Sequence, residues 1–239
     1  MKIYHYETIS STNAEAKRMI LDGAREGVLL ARHQTAGRGR LGRSFFSENG
    51  IFMSVILSPE VIPFDPGFLT SAVAVAVCRA VTEKGFPVGI KWVNDIHLDG
   101  KKICGILVRP RFEGEICVGA IVGVGVNLLD RPFPPALAGI ATSVQEACGV
   151  RLDAEALAER IVSLLIPLLG GEGEEEAMDE YRSCSCLIGR RVRAEMADRT
   201  LIATVTGIDR DGGLILTDEV GRILAMRSGR VRAISESFP

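Results

Sequence analysis

The sequence predicts an α+β fold with a mixed, mostly antiparallel sheet and flanking helices, followed by a small β-barrel. Three observations support this prediction. The stretch 88–128 has β character throughout, helices are predicted on both sides of it, and the residues after Cys186 carry no helical periodicity. We therefore expect two domains, residues 1–186 and residues 187–239.

The chain is predicted to begin with a strand, a helix and a second strand. Residues 2–8 alternate between polar and apolar side chains, which is typical of a strand. The run Ser10-Ser11-Thr12-Asn13 supplies N-cap residues for a helix over 14–21, which ends at Asp22-Gly23. The second strand is predicted at 28–32.

A loop, a strand and a long helix follow. Residues 35–43 have no apolar periodicity and are predicted to form a loop, whereas residues 51–57 form a β-branched strand. Asp65-Pro66 marks the start of a helix over 68–84. Residues 72–77 alternate as a strand would, but the length of the segment and its Lys-Gly ending favour a helix.

The centre and the end of the chain differ in their turn signals. Within the β-rich stretch 88–128, Asp99-Gly100 and Glu113-Gly114 indicate hairpin turns. Residues 153–169 repeat apolar side chains at helical spacing, and the acidic run 170–176 interrupts this pattern and is expected only to solvate the end of the helix. The tail shows short strands with glycine turns, which predicts the barrel.

Composition limits the classes of function. The 239 residues are 47% hydrophobic and 24% charged, which indicates a well-packed globular protein and not a disordered one. The net charge of −2 provides no global basic field, so a site for a polyanion has to be local. The six cysteines lack the spacing of a zinc site or a disulfide framework, and no leader or long apolar run is present. We expect a cytoplasmic protein without a membrane anchor.

The most informative segment runs from Gln34 to Arg43. Its three glycines let backbone N–H groups approach an anion, and its arginines supply forked donors for phosphate or carboxylate. It matches neither a Walker loop nor the Gly-x-Gly-x-x-Gly pattern. An arginine-glycine RNA-binding tract and a solvated basic loop are the alternatives.

A second group of polar residues lies in the β-rich stretch. A hairpin turn at Asp99-Gly100 brings Asn94-Asp95 close to Lys102 across paired strands. Phosphoryl chemistry uses such a set, because lysine neutralises charge on a transferring phosphate while Asp or Asn holds Mg²⁺ or orders the nucleotide. The alternative is an ordinary turn with a surface lysine.

Taken together, four motifs resemble those of biotin protein ligases in order and spacing. They are Gln34…Gly37-Arg-Gly-Arg40…Gly42-Arg43, Lys91-Trp-x-Asn-Asp95, Lys102-x-x-Gly105-Ile-Leu-Val and Gly123-x-Gly-x-Asn127. The resemblance implies a catalytic domain related to class II aminoacyl-tRNA synthetases, followed by an SH3-like barrel. It also implies a reaction of biotin with MgATP to form biotinyl-5′-AMP, and transfer of biotin to a lysine of a biotin carboxyl carrier protein or domain.

The resemblance also implies roles for individual residues. The implied biotin-binding residues are Ser11, Thr12, Asn13, Gln34, Gly37, Arg38, Gly39, Arg40, Lys102 and Gly105. The implied ATP-binding residues are Arg38, Arg40, Arg43, Lys91, Asn94, Asp95 and Asn127. Lys102 and Arg40 are the implied catalytic residues. Mg²⁺ is expected to be carried mainly by ATP, with Asp95 as a further candidate ligand.

Three positions depart from the family pattern. Val93 stands where the family usually has Pro, Phe45 where Trp is common, and Ser228-Gly-Arg230 where Gly-Gly-Glu/Asp is usual. The resemblance begins at the first residues, so we expect a ligase without a DNA-binding domain. A homodimer is an open alternative to a monomer.

Two other functions compete with biotin ligation. A lipoate or octanoate protein ligase shares the fold family and the acyl-adenylate chemistry, but the intact Gly-Arg-Gly-Arg-x-Gly-Arg segment favours biotin. An RNA-binding module is disfavoured by the negative net charge and by the lack of aromatic residues within the arginine-glycine segment.

Overall fold

The computed structural model describes residues 1–46, 48, 50–62, 66–129, 132–170 and 173–234, which form two sheets and five α-helices. The strands are β1 (Ile3–Ile9), β2 (Gly27–Gln34), β3 (Gly50–Leu57), β4 (Gly89–Lys91), β5 (Asp95–Leu98), β6 (Lys101–Glu113), β7 (Ile116–Asn127), β8 (Arg191–Glu195), β9 (Thr200–Ile208), β10 (Leu214–Asp218), β11 (Ile223–Met226) and β12 (Arg230–Ala233). The helices are α1 (Thr12–Leu21), α2 (Pro66–Thr82), α3 (Val144–Cys148), α4 (Ala154–Leu168) and α5 (Gly173–Ser183).

The first sheet has seven strands in the order β1-β2-β3-β7-β6-β5-β4. Strands β1 and β2 are parallel, because helix α1 crosses between them, and the other neighbours are antiparallel. The expected mixed, mostly antiparallel sheet is confirmed, and so is the α+β class.

The two faces of this sheet are different. Along β7, Val122, Val124 and Val126 are buried in the main core together with α2 and α4. Because side chains alternate along a strand, Gly123 and Gly125 lie on the opposite face, where Ile121 packs with α1. That second face has little side-chain bulk at its centre and leaves room for a ligand.

The five C-terminal strands form an antiparallel sheet in the order β11-β10-β9-β8-β12, which we call the C-terminal barrel. It is joined to the rest of the chain by a shared apolar core and by two hydrogen bonds, one from Trp92 after β4 and one from Arg182 of α5. The buried Trp92 indole donates from Nε1 to the carbonyl oxygen of Gly212 at 2.8 Å. Arg182 donates from Nε to the carbonyl oxygen of Ile208 at 2.9 Å.

The structure differs from the sequence analysis at two helices, α5 and α3. The acidic run does more than solvate a helix end: its glutamates form the first turn of α5, where negative charge is stabilised by the helix dipole. Tyr181 of this helix is fully buried, and Glu180 pairs with Arg79 of α2. The short helix α3 was also not predicted, and the expected helix start at Asp65 lies outside the described residues.

The cysteines are all free thiols, and Cys78 and Cys104 are buried. In the described part of the chain, no helix is long and apolar enough to cross a membrane.

Candidate active site

A cavity of about 580 Å³ lies on the glycine-rich face of the first sheet. The arginine loop, which we define as residues 37–43, borders it on one side, and strand β12 of the barrel borders it on another. The predicted site residues that line it are Ser11, Thr12, Asn13, Gln34, Arg38, Gly39, Arg40, Arg43, Lys91, Asn94, Asp95, Lys102 and Gly105. Residues from four separate motifs are thus brought together.

Two predicted site residues do not line the cavity. Gly37 is buried, and its carbonyl oxygen accepts the N–H of Phe45 at 2.9 Å, which holds the base of the arginine loop. Asn127 ends β7 and donates from Nδ2 to the carbonyl oxygen of Thr142 at 3.1 Å. Its buried Oδ1 has no hydrogen-bond partner among the described residues, so it keeps an unused acceptor.

One end of the cavity is lined by the uncharged polar side chains of Thr12, Asn13 and Gln34. Together with the buried Ser54, which is hydrogen-bonded to two of them, we call these residues the polar cluster. Gln34 Oε1 accepts from the N–H of Thr12 at 2.8 Å and from its hydroxyl at 3.1 Å. The fully buried Ser54 lies 2.8 Å from Thr12 Oγ1 and 2.7 Å from Asn13 Oδ1. Every member is held by a neighbour, so the cluster is preorganised to bind a neutral, polar ligand.

The start of α1 positions this cluster. Ser11 is the N-cap residue, and its hydroxyl accepts the N–H of Ala14 at 3.4 Å. Capping places Thr12 and Asn13 in the first turn, directly beside the cavity. The polar N-cap run therefore serves the helix and the site together.

Glycines form the floor of the cavity. A Cβ atom added to Gly123 would lie 2.6 Å from the amide of Asn13, and one added to Gly125 would lie 2.6 Å from the Phe45 ring. Gly105 is the cross-strand neighbour of Gly125, and its Cβ would lie 2.8 Å from the same ring. Side chains at these positions would displace groups that form the site.

Charged groups line the other end of the cavity. Lys102 donates from Nζ to Asp95 Oδ1 at 2.6 Å, and both side chains are about one quarter exposed, at 25% and 29%. The pair is formed by the hairpin β5–β6, whose turn has positive φ angles at Asp99 (48°) and Gly100 (75°). Such angles are favoured by an Asp-Gly turn. The expected proximity of these groups is confirmed.

Arg40 connects the arginine loop to the sheet. It donates from Nη1 to Asn94 Oδ1 at 3.1 Å, and Asn94 in turn donates from Nδ2 to the carbonyl oxygen of Ile106 at 2.7 Å. The N–H of Gly39 donates to the carbonyl oxygen of Arg43 at 2.8 Å and closes the loop. The guanidinium of Arg40 is therefore held close to the Lys102 end of the cavity.

The cavity is strongly basic although the chain is slightly acidic. Seven described lining residues are basic and one is acidic: Arg38, Arg40, Arg43, Lys91, Lys102, Arg230 and Arg232 against Asp95. His97, on the strand that carries Asp95, adds no charge, because burial lowers its pKa from 6.5 to about 4. A local cluster of basic groups is thus present in a chain that has no global basic field.

Sequence reasoning missed several residues that line the cavity or support the residues that line it. Ser54 had a signal, because it is the single polar residue in the apolar strand β3. Arg230 had only the departure from the family pattern at Ser228-Gly-Arg230 as a signal, and Arg232 had none, because the packing of the barrel brings both to the cavity. The exposed Ile140 lies at the rim, where its carbonyl oxygen accepts the N–H of Lys102 at 2.8 Å.

Comparisons with known proteins agree with this geometry. Residues 6–127 match the model of the biotin/lipoate A/B protein ligase family, and residues 187–236 match the biotin protein ligase C terminal domain.

Relatives that match over most of the chain indicate the same family. The bifunctional ligase/repressor BirA of Bacillus subtilis is 35% identical over 92% of this chain and 70% of its own length. The biotin–[acetyl-CoA-carboxylase] ligase of Paracoccus denitrificans is 31% identical over 89% of this chain and 92% of its own. A biotin protein ligase from Aquifex aeolicus, solved in complex with biotin and ATP, has a TM-score of 0.82 at 25% identity and covers 97% of this chain and 99% of its own.

Proposed function

Because the chain belongs to the biotin/lipoate A/B protein ligase family, we propose that it is an ATP-dependent biotin protein ligase. It forms biotinyl-5′-AMP from biotin and MgATP and then transfers biotin to a lysine of a biotin carboxyl carrier protein. One observation carries the proposal: a single cavity joins an uncharged polar cluster to a strongly basic end. That arrangement fits a ligand with a neutral, polar head and a carboxylate that must meet a nucleotide phosphate.

The polar cluster binds the bicyclic head of biotin. The ureido group offers N–H donors and a carbonyl acceptor, which match the hydroxyl of Thr12 and the amides of Asn13 and Gln34. Ser11 and Ser54 support these side chains from the cap and from the sheet. Gly123 leaves the space in which the amide of Asn13 lies.

Adenylate formation takes place at the basic end. An oxygen of the biotin carboxylate attacks the α-phosphorus of ATP, a new O–P bond forms, and the bond to pyrophosphate breaks. Negative charge grows on the α-phosphate oxygens and on the leaving group during this step. Lys102 and Arg40 stabilise that charge as preorganised donors.

The remaining residues hold the nucleotide. Lys91, Asn94 and Asp95 line the sheet side of the cavity, and Arg38 and Arg43 line the loop side. Asn127 does not line the cavity, but its buried Oδ1 has no hydrogen-bond partner among the described residues, and we propose that it accepts from the nucleotide when ATP binds. Gly39 and Gly105 leave backbone and space accessible to the ligand, and Gly37 contributes from outside the cavity by holding the base of the arginine loop.

Mg²⁺ fits this site as an ion carried by ATP. Asp95 is the single carboxylate among the described lining residues, and one of its oxygens already accepts from Lys102. Its other oxygen is the candidate protein ligand, and the ion would screen the phosphate charge when bound.

We propose a protein partner and not a nucleic acid, because the cluster of seven described basic residues lines a cavity and the whole chain has a net charge of −2. The proposed partner is the carrier domain of a biotin-dependent carboxylase, and the proposed location is the cytoplasm. The two sheets support a catalytic domain over residues 1–186 and a barrel over residues 187–239. A homodimer stays a further proposal, to be tested by sedimentation.

A titration followed by an exchange assay tests the function. Calorimetry should show saturable binding of biotin and none of lipoate, and biotin should drive ATP–pyrophosphate exchange. Streptavidin blotting should then detect one labelled lysine on a carrier domain. Binding of lipoate in preference to biotin would assign the chain to lipoate chemistry, and RNA binding without exchange would remove it from the ligases.

A further inference from the structure

Residues 92–95, which lead from β4 into β5, carry two of the side chains proposed to hold the nucleotide, Asn94 and Asp95. Asn94 lines the candidate active site and also a second cavity, of about 450 Å³, that lies beside it. Open space on two sides gives the Asn94 side chain few packing partners. The position of Asn94 therefore depends on the hydrogen bonds that hold this segment.

Strand β6 holds Asn94 from one side. The carbonyl oxygen of Asn94 accepts the N–H of Ile106 at 2.9 Å, and Asn94 Nδ2 donates to the carbonyl oxygen of Ile106 at 2.7 Å. Asn94 Oδ1 then accepts from Arg40 Nη1 at 3.1 Å. The direction of this last bond depends on how the backbone enters Asn94.

Helix α5 holds the residue before Asn94. Tyr181 of this helix is fully buried, and its hydroxyl donates to the carbonyl oxygen of Val93 at 2.9 Å. That oxygen and the N–H of Asn94 belong to one planar peptide group, so the bond fixes the plane from which Asn94 begins. Burial raises the pKa of the Tyr181 hydroxyl, which therefore stays protonated and remains a donor.

The Tyr181 hydroxyl occupies a fixed point because α5 is anchored on three sides. Glu180 pairs with Arg79 of α2, and Arg182 donates from Nε to a carbonyl oxygen of β9 in the C-terminal barrel at 2.9 Å. Directly after the helix, the carbonyl oxygen of Cys184 accepts the N–H of Ile90 in β4 at 2.7 Å. Movement of Tyr181 relative to β4 or the barrel would strain these contacts.

Resting on the proposed function, we propose that Tyr181 is a positioning residue for the nucleotide. Its hydroxyl holds the peptide group between Val93 and Asn94 and so sets the direction in which Asn94 meets Arg40 and the phosphates. Tyr181 is not among the described residues that line either cavity, so it acts through Asn94 and touches no substrate.

The biotin end of the cavity should not depend on Tyr181. The hydrogen bonds of the polar cluster join α1, β2 and β3, whereas Tyr181 contacts the segment between β4 and β5. In the order of the first sheet, β7 and β6 lie between these two groups of strands. Loss of the Tyr181 hydroxyl should therefore weaken the use of ATP and leave the binding of biotin unchanged.

The substitution Tyr181→Phe tests this, because it removes the hydroxyl and keeps the ring that fills the core. Tyr6→Phe is the matched control, since it also removes a tyrosine hydroxyl, one that donates to Glu15 at 3.5 Å outside both cavities. The full chain is measured by biotin-driven pyrophosphate exchange at varied ATP, by calorimetric titration with biotin, and by urea unfolding. We expect Tyr181→Phe to lower kcat/KM for ATP about 3–10-fold, chiefly by raising KM, with unchanged biotin affinity. Tyr6→Phe should change neither.

A double-mutant cycle with Asn94→Ala shows whether Tyr181 acts through Asn94. In the Asn94→Ala background, assayed at raised enzyme concentration, Tyr181→Phe should change kcat/KM for ATP less than about twofold, because the side chain that it positions is gone. The full effect of Tyr181→Phe in that background overturns the proposal. An unchanged kcat/KM for ATP in the single variant overturns it too, and so does a parallel loss of biotin affinity, which would show a general effect on the fold. Failure of the ligase function itself is distinguishable, because the wild-type chain would then lack exchange.

Discussion

Replacing Lys102 by alanine should nearly abolish adenylate formation and leave the fold intact. Lys102 is one of seven described basic residues at the cavity, and its Nζ is fixed 2.6 Å from Asp95 Oδ1. Loss of a preorganised donor aimed at developing charge typically lowers the rate about 10²–10³-fold, which is about 2.7–4 kcal/mol of transition-state stabilisation. The variant also leaves Asp95 without its cation next to the phosphates, which adds to the loss.

The effect on stability should be much smaller. Both partners of the ion pair are about one quarter exposed, so solvent screens the pair and its contribution to the free energy of unfolding is about 1 kcal/mol or less. Lys101 is the matched control, because alternation along β6 places it on the opposite face of the strand, away from the cavity.

The assay is biotin-driven ATP–pyrophosphate exchange, measured for wild type, Lys102→Ala and Lys101→Ala together with urea unfolding of each. Lys102→Ala should lose exchange at nearly unchanged stability, and Lys101→Ala should keep both. Near-normal exchange by Lys102→Ala would remove Lys102 from the chemistry. A loss of exchange matched by a loss of several kcal/mol in unfolding would show a structural role instead.

Three further predictions concern retention of the intermediate, the polar cluster and acid stability. Arg40→Gly should release biotinyl-AMP about 10–150-fold faster, because charge-assisted hydrogen bonds to its phosphate are lost. Streptavidin blotting of a mixture of carrier domain and serum albumin should then show that both proteins are labelled. Labelling of the carrier domain alone would refute the role of Arg40 in retaining the intermediate. Gly123→Ala should weaken biotin binding about tenfold, because the new Cβ would lie 2.6 Å from the amide of Asn13; calorimetry measures this, and unchanged affinity would place biotin elsewhere. The lowered pKa of His97, about 4 in the folded protein, means that the unfolded chain takes up a proton below pH 6.5 that the folded protein does not. The free energy of unfolding should therefore fall by up to about 3 kcal/mol between pH 6.5 and pH 4. Urea unfolding of wild type and His97→Gln at several pH values in this range measures it. If the unfolding free energy depended on pH equally in the two proteins, the effect would not belong to His97.

Local signals predicted the chemically important contacts well. The pairing of Asp95 with Lys102 followed from one turn, because Asp99-Gly100 adopts the two positive φ angles of a tight hairpin and a tight hairpin fixes which residues face each other. The polar N-cap at the start of α1 was visible for the same reason, since capping depends on a few adjacent residues.

Helix α5 was not predictable from local pattern. Its glutamate-rich first turn suggested a solvated segment, and only three of its side chains, Ala177, Met178 and Tyr181, are buried. The helix is stabilised by packing on α2, where Glu176 and Glu180 pair with Arg79. Short helices depend on such tertiary contacts more than on propensity.

The sequence by itself determined the α+β class, the all-β C-terminal unit and thirteen of the described residues that line the cavity. Periodicity, turn chemistry and closely spaced motifs can be read from a few neighbouring residues. Only the tertiary structure decided that Ser54 supports the polar cluster and that Arg230 and Arg232 border the site. It also decided that a second cavity lies beside the first, with Arg40 and Asn94 lining both. Ser54 reaches Thr12 and Asn13 because α1 packs on β3, 41–42 residues away in sequence. The barrel residues reach the site because the barrel packs against the first sheet, through contacts such as that of Trp92 with Gly212, which are 120 residues apart in sequence. Contacts over such distances are selected by shape and burial in the folded chain and leave no pattern in the residues around them.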